Sequence, residues 1–275
     1  ISFIDNGAYK TLTLPKLTNE EKFLIDPIVA PTSGLRIQIL DQIEKKGKKK
    51  LLLTNRKLFL FLRVFKAISQ QYIEMKKGKN LKILIVTDNR PTKSILLQYC
   101  SQIFAYDGYE IYYQEDIPGE SKISAPYGAA SVAILDEINL IIVLTASHND
   151  LSWNGIKFYI DYPMPMSGDS FKEISNKALT FEEINFDPKY KPVLVDAEKK
   201  NNDYVISLVS NVLEIESLKN KKLVIWPYLG KARGIVNLFK RLGAEVILID
   251  EEINPPNPIK EVREDKLKQV MESEG

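Results

Sequence analysis

Histidine and cysteine each occur once in this chain, as His148 and Cys100. A single thiol excludes an intrachain disulfide and fits a reducing, cytoplasmic setting. Cys100 sits in the apolar pattern SILLQYCSQIF, where a small buried hydrophobe is the expected reading. A single imidazole limits the chemistry as well. Any Ser–His hydrolytic pair would have to use Ser147, the immediate neighbour of His148. Adjacent residues on an extended chain point to opposite sides, so that pairing is not expected. Net charge is scarce too: 38 Lys+Arg against 36 Asp+Glu leaves +2, which gives no reason to expect nucleic acid or an anionic membrane as partner. The local basic run EKKGKKK, residues 44 to 50, reads as a solvated loop or helix end. No apolar run approaches the length of a membrane-spanning helix. ISFIDNGAYK lacks the basic region and apolar core of a signal peptide.

The remaining composition, 44% hydrophobic and 27% charged over 275 residues, fits a soluble globular protein with room for two domains. Short β-rich runs alternate with helical patterns. KILIV (82 to 86) reads as a strand, KSILLQYCSQIFAYDG as a helix stopped by Gly108, and YEIYYQ as the next strand. APYGAASVAILDEI (125 to 138) reads as a short helix. NLIIVLT is apolar on both faces, as in a central strand of a covered sheet. Asn154-Gly155 predicts a tight turn into the strand IKFYI. Upstream, residues 56 to 78 form an amphipathic helix. A polar, proline-bearing stretch around 180 to 195 reads as a domain connection. Beyond it a helix, KKLVIW, KARGIVNLFKRLG, AEVILID and a final charged helix resume the rhythm. The pattern predicts an α/β protein: two three-layer α/β/α domains, 1–185 and 186–275, with mixed, mostly parallel sheets and the second incomplete.

The stretch IIVLTASHNDLSWNGIKFY, residues 141 to 159, gathers unlike chemistries in a small space. A hydroxyl, an imidazole, a carboxamide and an ammonium fall between Ser147 and Lys157. They follow a central strand, where open α/β sheets collect ligand groups. No G-x-S-x-G surrounds Ser147, so a lipase-type elbow is excluded. A serine that carries a phosphoryl group needs cations and donors around it rather than a triad.

TASHND…NGIK resembles the active-serine signature of the α-D-phosphohexomutases, the phosphoglucomutase/phosphomannomutase superfamily, whose form is T-A-S-H-N-P followed by N-G-x-K. PTSGLR (31 to 36) is similar to the family's G-T-S-G-x-R, and TDNRPTKS (87 to 94) to its D-x-R-x-S loop. APYGAASVAI and LGKARGIVNLFKRLGAEVI resemble two further family segments, in the same order. The resemblance implies movement of a phosphoryl group between two sugar hydroxyls through a phosphoserine and a bisphosphorylated sugar. Ser147 would be the carrier, and Arg36 a cation at the transferring group. Lys157 would assist proton transfer, with His148 and Asn149 orienting the loop and contacting substrate. Ser33, Arg90 and Ser94 are further candidates for substrate contact. For Arg90, an ion pair that holds two loops together is the alternative. The implied cofactors are Mg²⁺, phosphoserine at Ser147, and a glucose or mannose bisphosphate as activator or intermediate. The implied partner is a sugar phosphate.

The sequence departs from the family in four places. Asp150 replaces proline after Ser-His-Asn, bringing a negative charge near a phosphoserine. RIQIL stands where R-G is usual. IWPYLGKARG lacks the family's acidic and Asn-Gly pattern. The metal loop D-G-D-x-D-R occurs nowhere, so Ser147, through its phosphate, is the one metal ligand expected here. The expectation is of a truncated second domain, negligible mutase activity alone, and a sheet edge inviting self-association or pairing with the missing C-terminal part. The alternative is a non-catalytic paralogue that binds a sugar phosphate or a protein partner.

Overall fold

The apolar run Ile138–Leu144 is strand β8, and the architecture is ordered around it. The structure is a computed structural model and describes residues 3–6, 9–25, 34–45, 48–76, 81–114, 138–147, 149–160, 164–165, 169–225, 233–249 and 261–273. β6 (Lys82–Thr87) runs parallel to β8 and, on its other side, parallel to β7 (Glu110–Gln114). β12 (Val193–Val195) adds parallel to β7, at one edge. On the opposite side β9 (Trp153–Ile160) is antiparallel to β8 and pairs antiparallel with β3 (Leu35–Gln38) and with β10 (Met164–Pro165). The sheet is therefore mixed, with every strand except β9 running one way. This is the α/β class that the alternating pattern predicts.

The alternation of side chains gives the sheet two faces. Ile83, Ile85, Ile111, Leu140, Ile142, Leu144, Ile156 and Phe158 belong to the larger core. Helices α2 (Asn55–Lys76), α3 (Lys93–Tyr106) and α4 (Asp169–Thr180) bury their apolar residues in the same core. Leu84, Val86, Ile141 and Val143 face the other way, in a smaller cluster with Tyr112, Tyr159 and Val195 against it. Of the helix expected over 125–138, residues 125–137 lie outside the described residues and Ile138 begins β8.

A small antiparallel sheet, β1 (Phe3–Asn6), β2 (Tyr9–Thr13) and β11 (Glu183–Phe186), ties the two ends of this region together. The short helix α1 (Asn19–Ile25) follows β2. Residues 180–195 are thus more than a connection. β11 completes the small sheet, with Ile184 and Phe186 in the core, and β12 extends the large one. Where it is described, the basic run 44–50 is strand and not loop or helix end. Its ends lie in an antiparallel hairpin, β4 (Leu40–Lys45) and β5 (Lys48–Leu53), where pairing of LDQIEK with KKKLLL satisfies the backbone. Asn154-Gly155 is not a turn: both residues lie inside β9.

Further along, α5 (Ala197–Ser210) is capped by Asp196, whose carboxylate accepts from Lys199 N–H. β13 (Lys222–Ile225), α6 (Arg233–Arg241) and β14 (Glu245–Leu248) form a crossover unit with parallel strands, and α7 (Glu261–Ser273) follows. Among the described residues this second sheet has two strands.

Because α2 is buried on most sides, its polar residues need partners. Lys66 pairs with Asp107, and Ser69 Oγ donates to the same carboxylate at 2.6 Å. Both charged side chains of the pair are 9% exposed. Removing one member of a buried pair strands the other. Asp107→Ala is expected to lower stability by about 3–5 kcal/mol, read from urea denaturation.

Candidate functional site

β8 is followed by Thr145, Ala146 and Ser147, at the carboxyl edge of the parallel strands. Ser147 has φ +56°, a left-handed conformation that is uncommon for a non-glycine residue. Its strain is held by a network beneath the loop. Ser147 N–H donates to Thr145 Oγ at 2.9 Å, and Thr145 Oγ in turn donates to Asp88 Oδ2 at 2.6 Å. The pairing of Thr87 with Leu144 sets Asp88 beside Thr145.

Arg90 lies at the centre of this network, with its side chain fully buried. Nε donates to Asp88 Oδ2 at 3.1 Å. Nη1 donates to the carbonyls of Asp150 (2.5 Å) and Trp153 (2.8 Å). Nη2 donates to the carbonyls of Ser147 (3.0 Å) and Asn149 (2.8 Å). A guanidinium has five N–H donors, and here all five are taken by the protein. Arg90 therefore has no donor left for a substrate, and of the two sequence readings the geometry fits the loop clamp. Burial pushes the Asp88 carboxyl above its ordinary value, against Arg90 and Thr145, which favour the carboxylate.

Asp150, where the family has proline, is accommodated by a turn of its own. Its carboxylate accepts from Ser152 N–H at 2.8 Å and from Ser152 Oγ. Its charge is thus engaged within the turn, which the Arg90 bond to its carbonyl also holds.

Arg36 and Lys157 come together through strand register. Arg36 on β3 stands opposite Gly155 on β9, and Lys157 on β9 stands opposite Val143 on β8. Residues directly opposite share a face. Both cations therefore stand on the face of Val143, away from the main core. Arg36 Nη1 also reaches Asn149 Oδ1 at 3.4 Å, which joins the cation to the serine loop. Burial first, then the charge of Arg36, draws the Lys157 ammonium below the usual lysine range.

The close approach of β9 to β3 on one side and to Thr145 on the other depends on two glycines. A Cβ on Gly155 would lie 2.3 Å from Leu35 O and 2.8 Å from Thr145 O. On Gly34, whose φ is +92°, it would meet Ile156 O at 2.4 Å and Lys157 Cγ at 2.9 Å. Asn154, beside Gly155, is buried. Its Nδ2 donates to Thr92 Oγ at 2.9 Å and its Oδ1 accepts from Gly155 N–H. The N-G pair thus serves close strand approach, not a turn.

The structure brings together Ser147, Asn149, Arg36, Lys157 and, beneath them, Arg90. Ser94 is exposed in the first turn of α3. Ser33 and His148 lie outside the described residues. Sequence reasoning passed over Asp88 and Thr145. The available signal was that each polar residue directly follows a buried strand, and that the two strands are neighbours.

Residues 55–184 match the phosphoglucomutase/phosphomannomutase, alpha/beta/alpha domain I family. This segment is a phosphohexomutase domain I. A phosphoglucosamine mutase of Dictyoglomus turgidum is 27% identical over 188 residues, covering 66% of this chain and 39% of that protein. One from Campylobacter jejuni is 34% identical over 127 residues, covering 42% of this chain and 27% of that protein. The chain thus spans about two fifths or less of the length of these curated relatives. A phosphoglucomutase/phosphomannomutase family protein from Burkholderia thailandensis has the same fold, with TM-score 0.56 and 15% identity over 92% of this chain and 50% of its own. A Thermus thermophilus chain gives TM-score 0.62 at 18% identity, covering 89% of this chain and 52% of its own.

Among the described residues of this phosphohexomutase domain, no three His, Cys, Asp or Glu side chains group as a metal site. Asp88 is engaged by Arg90 and Thr145, and Asp150 by Ser152. The described residues therefore do not compose a Mg²⁺ site, which needs several oxygen ligands. No described helix is long and apolar enough to cross a membrane.

The Lys157 shift has a sign that can be checked. A depressed folded pKa means that the folded state holds the ammonium less readily. The associated stability is present above the unfolded lysine value and is lost as pH falls through the folded one. Arg36→Met removes the second cause, so the Lys157 titration midpoint is expected to rise toward the ordinary value while staying below it. Side-chain NMR titration measures this.

Proposed function

We propose that this chain carries the phosphoserine centre of a phosphohexomutase, with Ser147 Oγ as the phosphoryl carrier. The observation that carries the reading is the setting of Ser147. It stands at the carboxyl end of a central strand, in a clamped left-handed loop that Arg36 contacts through Asn149, with Lys157 on the same sheet face.

In this reading a hexose bisphosphate gives a phosphoryl group to Ser147. The Oγ–P bond forms as the sugar O–P bond breaks, and the serine proton passes to the leaving sugar oxygen. In the opposite direction a sugar hydroxyl attacks the phosphoserine, loses its proton, and Oγ is released as the hydroxyl. Little covalent chemistry is asked of the protein. Positioning and charge neutralisation lower the barrier. Arg36 presents a planar cation suited to phosphoryl oxygens. Lys157, with its ammonium destabilised, is suited to holding and returning the proton. Asn149 ties Arg36 to the loop, and His148 and Ser33 are assigned substrate contacts on the strength of the motifs alone. Mg²⁺ is assigned to the complete enzyme, with carboxylates from outside the described residues, and no step above runs through it.

The named relatives are phosphoglucosamine mutases, which makes glucosamine phosphates the first substrates to try. Incubation with glucosamine 1,6-bisphosphate is expected to add one phosphate, seen by intact mass and placed on Ser147 by peptide sequencing. Ser147→Ala should abolish the adduct, and Arg36→Met should slow its formation about a hundredfold or more. Absence of any adduct on the folded wild-type chain would refute the reading. Turnover is a separate matter. In a coupled assay with glucose 1-phosphate, the 275 residues alone are expected to show negligible mutase activity, since the described residues hold no grouped metal ligands.

A further inference from the structure

We infer that Thr145 is a positioning residue for phosphoryl transfer, with its hydroxyl oriented by Asp88 so that it holds Ser147 in its left-handed conformation. The inference rests on the assignment of Ser147 as phosphoryl carrier.

Three bonds in series carry it. Arg90 Nε donates to Asp88 Oδ2, and Thr145 Oγ donates its one proton to the same oxygen. A hydroxyl has one proton and two lone pairs. Once that proton is committed to Asp88, Thr145 Oγ can only accept from Ser147 N–H, as it does at 2.9 Å. The direction of the last bond is thus set by a carboxylate on the neighbouring strand. Thr145 is 9% exposed, so water is poorly placed to substitute for its hydroxyl.

The consequence falls on Oγ. With the amide of Ser147 pinned from one side, and its carbonyl from the other by Arg90, both peptide groups flanking the Ser147 Cα are fixed. Cβ, and with it Oγ, is then aimed before any sugar phosphate arrives. Without the Thr145 bond, the φ of +56° loses its side-chain support on the amide side, and the common φ < 0 basin becomes more accessible. The step itself is unchanged: the Oγ–P bond forms, the sugar O–P bond breaks, and the serine proton leaves with the sugar oxygen. The lost quantity is the fraction of time that Oγ is in line.

Thr145→Val and Thr145→Ser separate positioning from packing. The rate of adduct formation on Ser147 from glucosamine 1,6-bisphosphate is followed by quenched intact mass as donor concentration varies. Thr145→Val is expected to lower the saturated rate about ten- to a hundredfold with little change in half-saturating concentration. Thr145→Ser, which restores the hydroxyl, should return the rate to within about threefold of wild type, although it removes a methyl group. A folded Thr145→Val variant that matches wild type, or a Thr145→Ser variant no better than valine, overturns the inference. If the valine variant does not fold, Asp88→Asn decides, because it keeps the shape but weakens the commitment of the Thr145 proton. A slower saturated rate supports the inference and a wild-type rate overturns it. A wild-type chain that takes no phosphate refutes the phosphoserine reading itself, a different outcome from a phosphorylated wild type with indifferent variants.

Discussion

A guanidinium stripped of water is costly unless each of its donors finds an acceptor, and Arg90 meets that demand in full. Its partners are one carboxylate and four backbone carbonyls, all within the turn that follows β8 or beside it. The requirement acts in both directions. The loop cannot shift without leaving a buried charge unsatisfied, and the arginine cannot turn outward without releasing the loop. Local backbone strain at Ser147 is tolerable because the surroundings over-determine it. The serine is thus positioned by the interior of the sheet rather than by surface contacts.

Above this buried layer the charge pattern inverts. The two carboxylates of the site, Asp88 and Asp150, are occupied by internal donors. The cations Arg36 and Lys157 share the sheet face of the smaller cluster, close enough that Arg36 lowers the proton affinity of Lys157. Two like charges in proximity are unfavourable alone and become favourable when an anion sits between them. The arrangement suits a group that is multiply negative, and the small cross-section of the two glycine positions lets the strands bearing the cations approach the loop.

Much of this could be read from residue order. The amphipathic pattern of α2 and the apolar run of β8 each reflect local chemistry, and the structure places them accordingly. What escaped was set by register between distant strands. Nothing local distinguishes Asn154-Gly155 in a turn from the same pair within β9. The difference is made by Leu35 and Thr145, which crowd the glycine from either side. The hairpin of β4 and β5 hides under a run of lysines because its cause is backbone pairing, not side-chain pattern. Residues 180–195 read as polar linker since β11 and β12 are short, and their partners lie far away in sequence. Arg90 could be a clamp or a ligand on sequence grounds. Its burial, with every donor occupied, separates the two.

The backbone at residue 147 also bears on which alcohol can serve there. Threonine offers the same hydroxyl oxygen, and by chemistry alone would serve the proposed role equally well. Its second substituent on Cβ makes a positive φ far harder to adopt than it is for serine, where the left-handed well already costs roughly 1–2 kcal/mol. The choice between two hydroxyl side chains at this position is therefore made by torsional sterics, set by the shape of the chain beneath it.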